Sequence, residues 1–238
     1  MCGRYSLKTE PVELARLFQV PDPPTLPRRY NIAPSQAVTT VRIDPDAETR
    51  GFAALQWGLV PSWAEDPGIG NRLINARSET VSQKPAFRSA FKRRRCLIAA
   101  DGFFEWKRAP SVAKGAPKQP SYIRLRDREP FAFAGLWERW APREGTPGRV
   151  LETCTILTTS PNELMRPIHD RMPVILPPPD FDTWLDPRVH DEGALQALLG
   201  PFPADRMTAT KVSTRVNSPR NDDAQCIQPV EQQGGLWP

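Results

Sequence analysis

This sequence predicts an α+β fold: a single domain on a curved, barrel-like antiparallel β core with short peripheral helices. Three observations carry that prediction. Segments rich in β-branched and apolar residues recur along the whole chain, as in AVTTVRI, RCLIAA, FAFAGLWERW and LETCTILTT. The 28 prolines are about twice the usual share, which favours short strands and stiff loops over long helices. Helical periodicity is confined to a few short stretches between those strands, the pattern of an α+β layer arrangement.

Taken in order, Thr9 is placed to cap a short helix through Phe18, with Leu14, Leu17 and Phe18 on its buried side. VPDPPTLPRR then breaks regular structure. AVTTVRI and GFAALQWGLV read as strands, and PSWAEDPGIG as a loop. RCLIAA and FFEWKR read as strands joined at Asp101-Gly102, a strong hairpin signal. RAPSVAKGAPKQP reads as a loop excursion. SYIRLR, FAFAGLWERW and LETCTILTT continue the strand pattern. Ser160-Pro161-Asn162-Glu163 has the form of a capping box with proline at the first helical position. FDTWL and DEGALQALLG read as two more short helices, the second stopped at Gly200. MTATKVS is the last expected strand. Residues 1–230 are expected to form the domain and 231–238 a loose tail.

Composition narrows the classes of function. The net charge of +5 and pI near 9.2 suit a polyanionic partner without identifying it. Cys2, Cys96, Cys154 and Cys226 are widely spaced with no C-x-x-C pair, and only His169 and His190 accompany them. That argues against a structural zinc site, and the few thiols against a disulfide framework. The N-terminus lacks the apolar segment of a signal peptide, and no stretch approaches a membrane span. A reduced, cytoplasmic protein with no metal or cofactor is expected, acting as a monomer and nucleoid-associated if bacterial.

The opening MCGRY carries the sharpest chemical hint. Removal of Met1 before a small residue leaves Cys2 with thiol and α-amine on one framework, a 1,2-aminothiol that no internal residue can supply. An ordinary frayed terminus is the plainer reading of these five residues alone. Further along, INARSET places Asn75, Arg77 and Glu79 on one face if the segment is a strand. A solvated polar face explains that stripe equally well. Glu105 lies between Phe104 and Trp106, where apolar surroundings would raise its pKa and suit proton transfer, unless strand alternation turns it to water. His169, in IHDRMP, is a candidate proton exchanger near neutrality; His190 reads as a surface residue. The run Lys92-Arg93-Arg94-Arg95 reads as a solvated charged face. Trp63, in a Pro/Gly loop, is either a core residue or a platform for an unpaired base.

Together MCGRY, YNIAPSQ, WGLVPSW, INARSET, CLIAADGFFEW, LTTSPN, IHDRMPVIL and VSTRVN resemble, nearly end to end, the SOS-response-associated peptidase (SRAP) family of abasic-site crosslinking proteins. The resemblance implies that mature Cys2 is the nucleophile, with Asn75, Glu105 and His169 around it. It implies contacts to single-stranded DNA from Arg4, Pro34, Trp63, Arg77 and Arg171. It also implies an activity that links the protein covalently to abasic DNA through a thiazolidine and shields the lesion, with peptidase-like processing of the N-terminus in the family's name. Two departures stand out. Family members carry two successive tryptophans where this chain has Trp63-Ala64, and an arginine after NARSET where this chain has Lys84-Pro85.

Three other classes fit parts of the sequence. Class II glutamine amidotransferases also begin Met-Cys-Gly and use the cysteine as a hydrolytic nucleophile. A protease using Cys2 and a nucleic-acid-binding module with an idle Cys2 complete the set.

Overall fold

The computed structural model describes residues 2–23, 25–107, 118–143 and 148–230. Thirteen strands run in chain order: β1 (Tyr5–Leu7), β2 (Arg29–Ile32), β3 (Ala37–Ile43), β4 (Arg50–Trp57), β5 (Asn75–Arg77), β6 (Arg95–Ala100), β7 (Gly102–Trp106), β8 (Pro120–Leu125), β9 (Phe131–Trp140), β10 (Leu151–Thr159), β11 (Met172–Pro173), β12 (Ile175–Leu176) and β13 (Met207–Lys211). Among the described residues four short helices accompany these strands: α1 (Pro11–Phe18), α2 (Arg88–Arg93), α3 (Phe181–Leu185) and α4 (Glu192–Ala197).

Five of these strands close on themselves. β3 pairs with β4 and β6, β6 with β9, β9 with β10, and β10 returns to β4. The four antiparallel seams match the expected barrel-like core; the closing β10–β4 seam is parallel. β6 is buried along its whole length and β9 at all but one residue, so both faces of these strands are covered rather than one.

A second, open sheet has the order β13-β8-β7-β1-β2, antiparallel throughout. Its inner face packs on the barrel through aromatic side chains. The Tyr5 ring meets Trp57 at 5.4 Å and Phe133 at 5.7 Å, and Phe103 meets Phe133 at 6.0 Å. Edge-on pairs of this kind add about 0.5–1.5 kcal/mol each beyond their burial. The chain therefore begins in the middle of the molecule: β1 is an interior strand between β7 and β2, and Tyr5 fixes it to the barrel wall.

Several local expectations are corrected. Asp101-Gly102 is no hairpin, because β6 belongs to the barrel and β7 to the open sheet. The Asp101 carboxylate instead accepts hydrogen bonds from the Lys8 N–H and the Thr9 hydroxyl. Gly102 is required there for space: a Cβ would stand 2.5 Å from the Tyr122 ring. With Thr9 occupied, α1 starts at Pro11 behind Glu10, with no side-chain cap, and it buries Leu14, Ala15 and Phe18 while Leu17 is only half-buried. The Ser160–Glu163 box makes turns rather than a helix. Asn162 rather than Ser160 caps them, its Oδ1 accepting from the Met165 N–H at 3.0 Å, and Pro167 has no N–H with which to continue. α4 ends at Ala197 with Leu198 as its cap, before Gly200. Arg95 of the basic run is buried rather than solvated. The excursion after β7 falls largely on residues 108–117, and both it and the expected tail at 231–238 lie outside the described residues.

Candidate active site at the N-terminal strand

Strand pairing brings the proposed groups to the N-terminus. Tyr5 lies opposite Phe103, and the Phe104 N–H donates to the Arg4 carbonyl at 2.9 Å. Continuing that antiparallel register sets Glu105 alongside the residues just after Cys2. Alternation along β7 sends Phe103 to the barrel side, whereas Phe104 and Trp106 join a separate cluster with Tyr122, Val212 and Val216. Glu105 shares the face of Phe103 and is only 3 % exposed. Alternation thus turns this carboxylate inward, and the aromatic neighbours in sequence are not what surrounds it.

Burial raises the Glu105 pKa above the usual carboxylate range, and the nearby His169 pulls it partly back. Cys2 is fully buried. Desolvation pushes its thiol pKa well up, and the negative charge of Glu105 pushes it further, while the Arg4 backbone N–H acts in the opposite sense. The thiol is therefore held protonated at neutral pH in this environment.

Asn75 opens β5, which runs parallel to β10 with Asn75 opposite Ile156. Its position is set by the loop from β4: Trp57 Nε1 donates to the Ile74 carbonyl at 2.8 Å. Gly58 has a φ of 130° and packs so closely on Gly70 that a Cβ at either would stand 2.7 Å from the other's carbonyl oxygen. From there Asn75 Nδ2 donates to the Cys2 carbonyl at 2.8 Å. Its Oδ1 is buried and has no hydrogen-bond partner among the described residues.

His169 follows the Asn162 turns and is held by its backbone N–H to the Met165 carbonyl at 2.8 Å. Its Nδ1 accepts from the Arg171 N–H at 3.0 Å. Cys2, Asn75, Glu105 and His169 thus form one linked set. His190 is exposed on the segment before α4.

The expected DNA contacts divide. Trp63 is 59 % exposed, and Arg77 is exposed at the end of β5. Pro34 is half-buried in a turn whose next residue, Ser35, has a φ of 70° and donates its N–H to the Trp57 carbonyl at 2.8 Å. Arg4 and Arg171 are already engaged. Arg4 Nη1 donates to Asn31 Oδ1 at 2.9 Å and to the Val216 carbonyl at 2.7 Å. Arg171 grips both oxygens of Glu79, at 2.6 and 2.9 Å, and the Thr158 carbonyl at 2.6 Å. Asn75, Arg77 and Glu79 do not share a strand face, because β5 ends at Arg77 and Glu79 lies in a 3-10 turn, Ser78–Thr80. Ala64, which stands where a second tryptophan was noted, is buried against Val60 and Trp140, and its carbonyl accepts from Trp140 Nε1 at 2.8 Å.

Sequence reading missed the clamp beneath Arg4. Asn31 is fully buried, and its Nδ2 reaches carbonyls of Val216, Ser218 and Asn221. The Asp222 carboxylate accepts from the Tyr30 and Asn31 N–H groups and pairs with Arg29. Trp106 Nε1 donates to Asn217 Oδ1 at 2.7 Å. The one signal available for this clamp was the polar Asn31 between Tyr30 and Ile32 in a short strand.

Among the described residues no group of three or more His, Cys, Asp or Glu side chains is arranged to hold a metal ion. No helix among them is long and apolar enough to cross a membrane.

Fold and site together define a protein that sets the buried Cys2 beside the amide of Asn75 and the carboxylate of Glu105, with the imidazole of His169 acting on that carboxylate. The chain belongs to the SOS response associated peptidase (SRAP) family, whose model matches residues 1–219. It is 46 % identical over 232 residues to the abasic site processing protein YoqW of Bacillus subtilis, covering 96 % of this chain and 99 % of that one. It is 31 % identical over 237 residues to the abasic site processing protein YedK of Escherichia coli, covering 97 % and 100 %. The abasic site processing protein HMCES of Xenopus tropicalis is 34 % identical over 213 residues, which cover 79 % of this chain and 60 % of that longer one. A crystal structure of a Bacteroides thetaiotaomicron protein superposes with a TM-score of 0.80 at 26 % identity, covering 97 % and 100 % of the two chains.

Proposed function

We propose that this protein processes abasic sites in single-stranded DNA by forming a covalent thiazolidine through Cys2 once Met1 is removed, and so shields the lesion. The observation that carries this reading is the convergence on Cys2 of Asn75, bonded to its carbonyl at 2.8 Å, and of the buried Glu105, whose charge acts on its thiol. The relatives' shared name, abasic site processing protein, supplies the substrate.

The chemistry follows from the protonation states. An abasic site equilibrates with a ring-opened aldehyde. The thiol is held protonated, so the α-amine, with a reference pKa of about 7.7–8.0, is the first nucleophile. Glu105 accepts the ammonium proton, and the amine adds to the aldehyde carbon. The resulting hydroxyl leaves as water after a proton arrives from Glu105 or His169, giving an imine. The Cys2 sulfur then bonds to the imine carbon, and its proton ends on the nitrogen. One water is lost overall, and the ring closure is intramolecular, which gives it the advantage of proximity. Asn75 fixes the Cys2 carbonyl and thereby the direction of the amine. His169 also serves to protonate the sugar ring oxygen during opening.

Exposed Trp63 and Arg77 provide stacking and phosphate contacts, with Pro34, Arg4 and Arg171 completing the path of the strand. One chain suffices, with neither metal nor cofactor required by any step.

The test is incubation of the mature protein with an abasic single-stranded oligonucleotide and, separately, with glutamine. A heat-stable adduct whose mass is the sum of protein and DNA less one water is the expected result. Ammonia release from glutamine without such an adduct would replace this reading with an amidotransferase-type hydrolysis.

A further inference from the structure

Neither Glu79 nor Arg171 takes part in the chemical steps above, and Arg171 has only a place on the path of the strand, yet the two form a two-point ion pair near the site. Arg171 is 15 % exposed along its side chain. Its guanidinium holds Glu79 in a two-point contact and caps the Thr158 carbonyl at the end of β10. One side chain therefore ties together the turn after β5, the end of β10 and the segment leading into β11. The backbone N–H of that same Arg171 is the donor to His169 Nδ1 at 3.0 Å.

A second group competes for Nδ1. Asp170 Oδ1 stands 2.9 Å from it. The two neighbours demand opposite states of a neutral imidazole. The Arg171 N–H needs a lone pair on Nδ1, which puts the ring proton on Nε2. The Asp170 carboxylate needs a proton on Nδ1, which leaves Nε2 bare. Asp170 is 81 % exposed, so water competes for its oxygens, whereas the Arg171 backbone is anchored at its side chain and by the pairing of Met172 with Thr159.

We propose that Glu79 is a positioning residue: by anchoring Arg171 it holds neutral His169 in the Nε2–H tautomer against the pull of Asp170. His169 then carries its proton on Nε2, which makes that nitrogen a donor and not an acceptor. This rests on the proposed reaction for its purpose, since a proton must be delivered to the sugar ring oxygen or to the departing hydroxyl. The tautomer itself is independent of that reaction.

The chain has only two histidines, so imidazole nitrogen resonances can be assigned without ambiguity, with exposed His190 as the internal standard for an unconstrained ring. Nitrogen NMR on the unmodified protein, at a pH where the rings are neutral, is expected to show His169 wholly Nε2–H. A mixture, or the Nδ1–H form, would overturn the proposal without any variant. Glu79→Gln and Arg171→Lys are expected to move His169 toward Nδ1–H and to slow crosslinking at saturating DNA by about 10–100-fold, the range seen when an outer partner that orients a metal-bound histidine is lost. Glu79→Asp should restore most of both. A folded Glu79→Gln protein with the parent's tautomer would show that Glu79 only braces the fold. If the unmodified protein forms no adduct at all, the reaction proposed above fails, and the nitrogen spectra still decide the role of Glu79.

Discussion

Arg95 and Glu105 are both charged side chains taken out of water, one on barrel strand β6 and one on β7 of the open sheet. The molecule treats them differently. Arg95 Nε donates to the Trp184 carbonyl at 2.6 Å, Nη1 to those of Phe91 and Lys92, and Nη2 to those of Asp186 and Val189. Its guanidinium also lies 5.8 Å from the Trp184 ring. Burial lowers its pKa only to about 10, so it stays charged at neutral pH and ties α2 to the region of α3. Glu105, by contrast, has its pKa raised by desolvation, and its charge raises that of the Cys2 thiol in turn. A buried charge surrounded by carbonyl acceptors is a fastener. A buried carboxylate whose ionised form is disfavoured is a group ready to exchange a proton.

The sharpest way to break this comparison is to remove the thiol. Cys2→Ser keeps the amine but cannot close the ring, so no heat-stable adduct should form, while borohydride should still trap a Schiff base. A heat-stable adduct from Cys2→Ser without reductant would end the thiazolidine mechanism. On the fastener side, Arg95→Ala strands five carbonyls that a charged donor had satisfied. It should cost about 3–5 kcal/mol of stability, read as a lowered denaturant midpoint. The fraction that remains folded should crosslink at the parent rate.

Glu105→Gln should do the reverse. Its crosslinking should slow by about a hundredfold under single-turnover conditions, the low end for a general acid–base group. Its stability should rise. A carboxyl whose folded pKa is raised contributes fully only below its unfolded pKa, and that contribution is lost as pH rises through the folded value. The melting temperatures of parent and Glu105→Gln should therefore coincide in acid and separate toward neutral pH, with the variant higher. A variant that melts below the parent at neutral pH would make Glu105 a fastener as well.

The two regions also differed in how far sequence could reveal them. Barrel strands β3, β6, β9 and β10 are legible because their residues are mostly apolar, aromatic or β-branched, with few charges. Their partners are not, since strand propensity does not encode which sheet a strand joins. Asp101-Gly102 reads as a hairpin by composition, yet the turn is decided by Tyr122 packing over Gly102 and by the Asp101 bonds to Lys8 and Thr9, all distant in sequence. The candidate site was legible as residue types, through motifs that contain Cys2, Asn75, Glu105 and His169. Its wiring was not: the partners of Arg171 and Arg4 come from 92 and 212 positions away. Alternation was visible at Glu105, but which face of β7 is buried was not, because that depends on Phe103 packing against barrel residues such as Phe133.

Arg77 gives the smallest expected effect and separates grip from chemistry within the site itself. The sequence allowed it to be either a DNA contact or a buried partner of Glu79. Glu79 is bonded instead to Arg171, which is the first cause of its lowered pKa, with Arg77 contributing least among the causes. Arg77 is exposed, two residues beyond Asn75 on β5, where a guanidinium can meet a phosphate beside the abasic sugar. Losing one such contact on a single strand should reduce the magnitude of the slope of log K against log salt by about 0.7. Arg77→Ala should therefore lose more affinity relative to the parent at low salt than at high salt, and crosslink slowly at sub-saturating protein. Saturating protein should restore most of the rate, because Cys2, Asn75, Glu105 and His169 are untouched. Its stability should stay within about 0.5 kcal/mol of the parent, as for other exposed substitutions. Slope and melting temperature measured on the same variant decide the matter: a lowered melting temperature with an unchanged slope would remove Arg77 from the DNA path and return it to the frame.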